Sequence, residues 1–197
     1  MSDFAERYVT LDDPLRAYDD VVEAVRLLAD RTSPDQYAAP TPCADWTVSD
    51  ILNHLVETLD RYGSLARGVP PVEGEACVYD NPVEMFPAMA ASTRAAFAAP
   101  GYLDEVAPTP IGLQPGRSVV QHVVNELIVH GWDLAQGTGQ GSDIAPAWAG
   151  PALRSWEVFF AEYPRENLTF NFAPEQLPPS GATPADRVAA YLGRRAA

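Results

Sequence analysis

The residues best suited to chemistry in this chain recur at four-residue spacing. Within Gln121–Gln140, QHVVNELIVHGWDLAQGTGQ, His122, Glu126 and His130 lie four apart, and Asp133 follows three later. At about 100° per residue these four fall within roughly 80° of one another on a helix. Val120, Val123, Val124, Leu127, Ile128, Trp132 and Leu134 fill nearly all the remaining circumference. A helix apolar nearly all round is normally buried. Ionisable groups on a buried helix need partners, because unpaired interior charge is strongly destabilising or titrates away. The natural partner for a carboxylate and two imidazoles is a metal ion.

Glu126 and His130, spaced i, i+4, can both reach one point beside the helix. A metal needs at least a third protein ligand, and the chain holds only three histidines: His54, His122 and His130. His54, on another helix, is the candidate. Two imidazoles and one carboxylate suit Zn²⁺ in a site that keeps a position for water or substrate. The same set suits Fe²⁺, and Ni²⁺ and Mn²⁺ stay open. His122 is then a fourth ligand or a supporting group. Asp133 either accepts the spare ring N–H of a ligand histidine or pairs with an arginine that holds the helix. Arg61, two turns beyond His54, either pairs with a glutamate or meets an anionic substrate. In the metal-free alternative, His54, Glu126 and His130 satisfy one another. Cys43 reads as a packed loop thiol, Trp46 and Trp132 read as core, and Cys77 carries no signal.

Positioning these groups falls to helices. Asp12-Asp13 before Pro14 predicts a helix over 13–30, with Leu15, Tyr18, Val22, Val25 and Leu28 at helical spacing. A capping box at Thr47–Asp50 starts a second, carrying Ile51, Leu55, Leu59 and Tyr62 to about Ala66, where Gly68 stops it. Asn81-Pro82 opens a third to about Ala99, in which Pro87 predicts a kink or a delayed start. Residues 102–116 are too rich in Pro and Gly for a helix and predict an irregular stretch or a short hairpin. The fourth helix starts near 115–118 and is predicted to end on Gly137 in the left-handed conformation. A fifth runs from Pro146 to about Phe160. Residues 164–182 read as a Pro-rich connector in which LTFNF forms a short strand, and Thr183-Pro184 launches a helix to Leu192, closed by Gly193. Four long helices imply an all-α helical bundle around the fourth, most apolar helix.

With 197 residues the chain suits one domain with a sizeable core. Its net charge of −14 argues against nucleic acid, whose sites need a clustered positive footprint, and against anionic membrane surfaces. All 13 basic residues are arginine, which reads as compositional bias of the genome. Two cysteines, no apolar run of the ~18 residues a span needs, and no signal-peptide layout in MSDFAERYVT lead to the expectation of a cytoplasmic, reduced protein. Oligomeric state is left open, with a homodimer compatible.

PTPCADWTVSDILNHL, followed some seventy residues later by NELIVHGWDLAQGTGQ, resembles the actinobacterial metal-binding proteins of the DinB-like superfamily. More closely, it is similar to the N-terminal domain of mycothiol-dependent maleylpyruvate isomerase, over roughly residues 10–160. The resemblance implies an up-down four-helix bundle over residues 1–160, with residues 161–197 as a C-terminal extension packed on it. It implies a divalent metal held by His54, Glu126 and His130, the residues that spacing brings forward. It further implies transfer or isomerisation of a small electrophilic substrate with a low-molecular-weight thiol such as mycothiol. The alternative is a non-catalytic metal- or ligand-binding module of the same fold. The isomerase carries a further C-terminal domain where this sequence has about 40 residues, so a substrate other than maleylpyruvate is expected.

Overall fold

The computed structural model describes residues 3–69, 78–109, 111–168 and 172–195. Its helices are α1 (Asp3–Tyr8), α2 (Pro14–Asp30), α3 (Val48–Ala66), α4 (Pro82–Phe97), α5 (Gly116–Thr138), α6 (Pro146–Glu162) and α7 (Pro184–Tyr191). Between α4 and α5, strands β1 (Val106–Thr109) and β2 (Gly112–Pro115) form an antiparallel hairpin. The protein is thus mostly helical with one small sheet, rather than purely α. Helix α5 packs against α2, α3, α6 and α7, and α4 closes against both α2 and α3.

The helix starts follow from their caps. Asp13 accepts from the Arg16 amide. Thr47 and Asp50 exchange bonds across the first turn of α3, at 2.8 and 3.3 Å, leaving two otherwise unpaired amides satisfied. Asn81 caps α4 directly ahead of Pro82, so Pro87 does not delay that helix. It sits near the N-terminus and removes only one interior hydrogen bond.

Three expectations need correction. Helix α1 was not foreseen: it is too short to show periodicity, yet it buries Phe4 and Tyr8. Helix α5 ends at Gly139, φ 67°, not Gly137. The Gln140 and Gly139 amides return to the carbonyls of Ala135 and Gln136, which is a Schellman close. Gly137 lies inside the helix, where a Cβ would come within 3.0 Å of the Thr41 and Val48 methyls. The first, closer-spaced glycine is therefore there for packing. Helix α6 runs on to Glu162. The strand proposed for LTFNF, and Cys77, fall largely or wholly outside the described residues.

Helix α5 is buried on nearly every side; Val120, Val123, Val124, Leu127, Ile128 and Leu134 are fully excluded from solvent. Most of its polar interior groups are paired, the Ser118 hydroxyl being an exception among the described residues. Gln121 accepts from the Thr10 and Leu11 amides and donates to Asn125, which in turn donates to Ser155 of α6. Trp132 donates its indole N–H to Asp186 of α7 at 2.7 Å. That carboxylate also accepts from Ser142 and from the Thr183 amide, so one side chain caps α7 and fastens it to α5.

Partial burial alone would raise the Asp186 carboxyl, but these donors hold it below the ordinary range. Asp186→Ala should lower the unfolding free energy by about 3 kcal/mol, from a lost cap and an orphaned indole N–H. Because the folded value is depressed, the charge-dependent part is complete above the unfolded pKa of about 4 and is lost as pH falls through the folded value. Urea titrations of wild type and Asp186→Asn should converge over that acid range. A gap equally wide at about pH 7 and about pH 3 would contradict the assignment.

Candidate metal centre

Two segments bring the site together against α5. The first is the loop 41–46, which turns back on itself: Thr41 donates its amide to the Trp46 carbonyl, and Trp46 to that of Cys43. Asp45 adopts φ 66° to make the turn, a conformation that a short polar side chain tolerates. The turn sets Trp46 one residue before the Thr47 cap of α3. The second is α3 itself, which presents His54 two turns later.

His54, Glu126 and His130 converge. The Nε2 atoms of both histidines lie 3.5 Å from the same oxygen, Oε2 of Glu126. Their rings are edge to face at 4.5 Å between centroids. One potential ligand atom from each residue lies within 4.8 Å of the others. Separations of 3.5 Å are long for hydrogen bonds. They are close to the ~3.4 Å between donors bound at 2.0–2.1 Å in a tetrahedral zinc site. The three residues thus fit a divalent cation better than they fit each other. Burial alone would raise the Glu126 carboxyl, but the imidazoles of His130 and His54 outweigh it and hold it well below the usual range. Glu126 therefore stays ionised, as a ligand must.

The far side of His130 is closed. Its Nδ1 is 3.1 Å from Oδ2 of Asp133, which has no solvent exposure. Both roles considered for Asp133 hold together, because Arg194, just after α7, reaches the same carboxylate at 3.2 and 3.4 Å. Burial would lower the His130 pKa, but Asp133 and Glu126 raise it. Cys43 accepts from Arg194 at 3.6 Å, and its thiol is pushed up to about 11, chiefly by burial. Ligand atoms of Cys43, His130 and Asp133 also lie within 4.8 Å of one another. There the Arg194 guanidinium already contacts both the Cys43 thiol and the Asp133 carboxylate. Of the two groups, His54, Glu126 and His130 offer two imidazoles and a carboxylate with, among the described residues, no guanidinium bound to them.

The near side opens onto a cavity of about 280 Å³. Glu126, His54 and Trp46 line one part of it; Tyr62, His122 and the Glu57–Arg61 pair line the rest, with Thr58 between. Arg61 meets Glu57 at 2.9 Å, the glutamate partner, and also lines the cavity. His122 is outside the three-residue group. Its ring packs on Tyr62 at 5.0 Å and Trp156 at 6.5 Å, and burial holds its pKa below the ordinary value. A larger cavity, about 470 Å³ beside Glu175, Leu177 and Arg195, shares no lining residue with this one.

Three site residues escaped sequence reasoning. Trp46 reads as core yet stacks on His130 at 5.4 Å and meets His54 edge-on at 4.8 Å. Its place in the TPCADW turn was the available signal. Tyr62 reads as part of an apolar stripe, which its ring is, while also lining the cavity. Arg194 has no signal beyond following the helix-closing Gly193, since nothing local distinguishes it from Arg195.

The chain matches the family described as mycothiol maleylpyruvate isomerase N-terminal domain over residues 18–135. Two proteins of Mycobacterium tuberculosis, uncharacterized protein MT0763 of strain CDC 1551 / Oshkosh and uncharacterized protein Rv0738 of strain ATCC 25618 / H37Rv, are each 34% identical to it over 182 residues. The alignments cover 92% of this chain and 98% of each relative. No solved structure matches. The converging histidines and glutamate thus sit within or beside a matched span that holds α3 to most of α5, and the chain belongs to the mycothiol maleylpyruvate isomerase N-terminal domain family.

Proposed function

We propose that this protein is a metal-dependent enzyme that uses a low-molecular-weight thiol, mycothiol or a close analogue, to transfer sulfur to or isomerise a small electrophile. The observation that carries it is the convergence of two imidazole Nε2 atoms on one Glu126 oxygen at the edge of a cavity. Zn²⁺ is the cation that best suits this donor set. When bound, it would supply positive charge that lowers a thiol's pKa and favours the nucleophilic thiolate.

The remaining work falls to the chain. His54 and His130 would hold the cation as neutral imidazoles, with Glu126 as the one anionic ligand, so that net positive charge would remain. Asp133 keeps the His130 proton on Nδ1, leaving Nε2 for the cation. The sulfur of the cosubstrate, its proton passed to solvent, would add to an activated C=C bond: the C–S bond forms as the π bond opens and its electron pair moves onto the conjugated carbonyl as an enolate. In a transferase that enolate takes a proton from solvent and the C–S bond remains; in an isomerase it reforms the C=C after rotation about the new single bond and expels the thiolate. A cavity of about 280 Å³ suits a small substrate rather than a polymer. The packing of α2, α3, α4 and α5 supports an up-down bundle of DinB type over residues 1–160, with 161–197 as an extension upon it. A cytoplasmic setting and small-molecule partners complete the proposal; among the described residues no helix is long and apolar enough to cross a membrane.

Protein purified without chelator should carry about one zinc per chain by elemental analysis. Less than about 0.2 per chain with no uptake of added Zn²⁺ would end the metal reading. His130→Ala should abolish uptake, together with the rise in melting temperature that saturating Zn²⁺ gives the wild type. Cys43→Ala should retain both.

A panel of small electrophiles incubated with mycothiol should yield conjugates or isomers, and His54→Ala should reduce the rate at least 100-fold. If a zinc-loaded wild type gives no product above background with mycothiol or other thiols, the non-catalytic binding module replaces the enzyme.

A further inference from the structure

We infer that Arg194 is a positioning residue for the metal centre: the turn after α7 sets the affinity of a site it does not touch. This rests on the metal site proposed above. The turn is built to deliver the side chain. The Arg194 amide returns to the Ala189 carbonyl, and the Gly193 amide to that of Ala190, closing α7 as a Schellman motif. Gly193 has φ 88°, and a Cβ there would lie 2.6 Å from the Ala173 carbonyl oxygen. No other residue takes this path, and the path turns Arg194 inward.

Once there, the guanidinium makes a two-pronged contact with Asp133 and is itself only 11% exposed. A third nitrogen donates to the Leu192 carbonyl at 3.3 Å, which ties the arginine to its own turn. Asp133 has no arginine or lysine partner other than Arg194 among the described residues. Its other oxygen contact is the His130 ring. Removing Arg194 leaves a fully buried carboxylate that is free to rotate, take a proton or draw in water. In each case the His130 ring loses the fixed acceptor that keeps Nε2 aimed at Glu126. Partners in this outer position commonly set metal affinity by 10–100-fold.

The test is the Zn²⁺ dissociation constant, by competition with a chromophoric chelator, for full-length variants whose far-UV circular dichroism matches wild type. Arg194→Ala should raise the constant by roughly 10–100-fold. Arg194→Lys, which keeps a charge beside Asp133 without the two-pronged contact, should fall between Arg194→Ala and wild type. Arg195→Ala, whose partner is Gln176, should match wild type. In an Asp133→Asn background, Arg194→Ala should add little, because both changes break one relay. A constant within about twofold of wild type for Arg194→Ala, or full additivity in the double variant, would overturn the role of Arg194 alone. If Arg194→Ala does not fold, Arg194→Lys with and without Asp133→Asn completes the same cycle. A wild type that takes up no Zn²⁺ would instead overturn the metal site itself.

Discussion

The site depends on an unequal division of counter-charge along one buried helix. Helix α5 carries two carboxylates two turns apart: Asp133, fully buried, and Glu126, largely buried at the edge of the cavity. Asp133 is balanced by the guanidinium of Arg194. Glu126 is not: among the described residues its ion-pair partners are the imidazoles of His54 and His130, which are neutral when they act as ligands. An anion with neutral donors on either side, in a low-dielectric setting, stabilises a cation strongly. The same helix therefore holds one carboxylate paired with a guanidinium and one whose partners are imidazoles. His130 lies between them and faces each with a different nitrogen.

That arrangement follows from helical geometry. One turn before His130 comes Glu126 and just under one turn after it comes Asp133, so a single ring can address both. Ring orientation is then constrained from three directions: Asp133 holds Nδ1, Glu126 faces Nε2, and the Trp46 indole lies nearly parallel at 21°. Trp46 is held in turn by the 41–46 turn and the Thr47 cap. The rigidity of the ligand thus derives from the start of α3, the middle of α5 and the turn after α7, elements distant in sequence.

Much of this was readable from the sequence because helices write their contacts at short range. The i, i+4 stripe in α5, the caps at Asp13, Thr47, Asn81 and Thr183, and the punctuation by Gly and Pro are local signals. They led to the element order and to His54, Glu126 and His130. What could not be read is non-local. Gly137 and Gly139 are equivalent as helix-enders until one knows that Thr41 and Val48 crowd the first. Arg194 and Arg195 are adjacent and chemically identical, and only the turn at Gly193 separates one that reaches Asp133 from one that reaches Gln176. Trp46 reads as core because bulk and apolarity are visible in a sequence, whereas the neighbour that a ring lies against is not.

The centre has a closed back and an open front, and the two differ in what they can control. Behind His130, Asp133, Arg194 and Cys43 form a packed, hydrogen-bonded cluster, so this side bears on the aim and basicity of the His130 ring. In front, Glu126 and His54 border the cavity, where Tyr62, His122 and the Glu57–Arg61 pair are the polar groups a bound molecule would meet. The Arg61–Glu57 pair is the most adjustable of these, since Arg61 is 44% exposed and its glutamate partner sits one turn away on the same helix. An exposed i, i+4 pair of this kind contributes only a few tenths of a kcal/mol. The guanidinium is therefore held to Glu57 only weakly. The back of the site thus bears on the His130 ring through Asp133, whereas the front carries the polar groups that border the cavity.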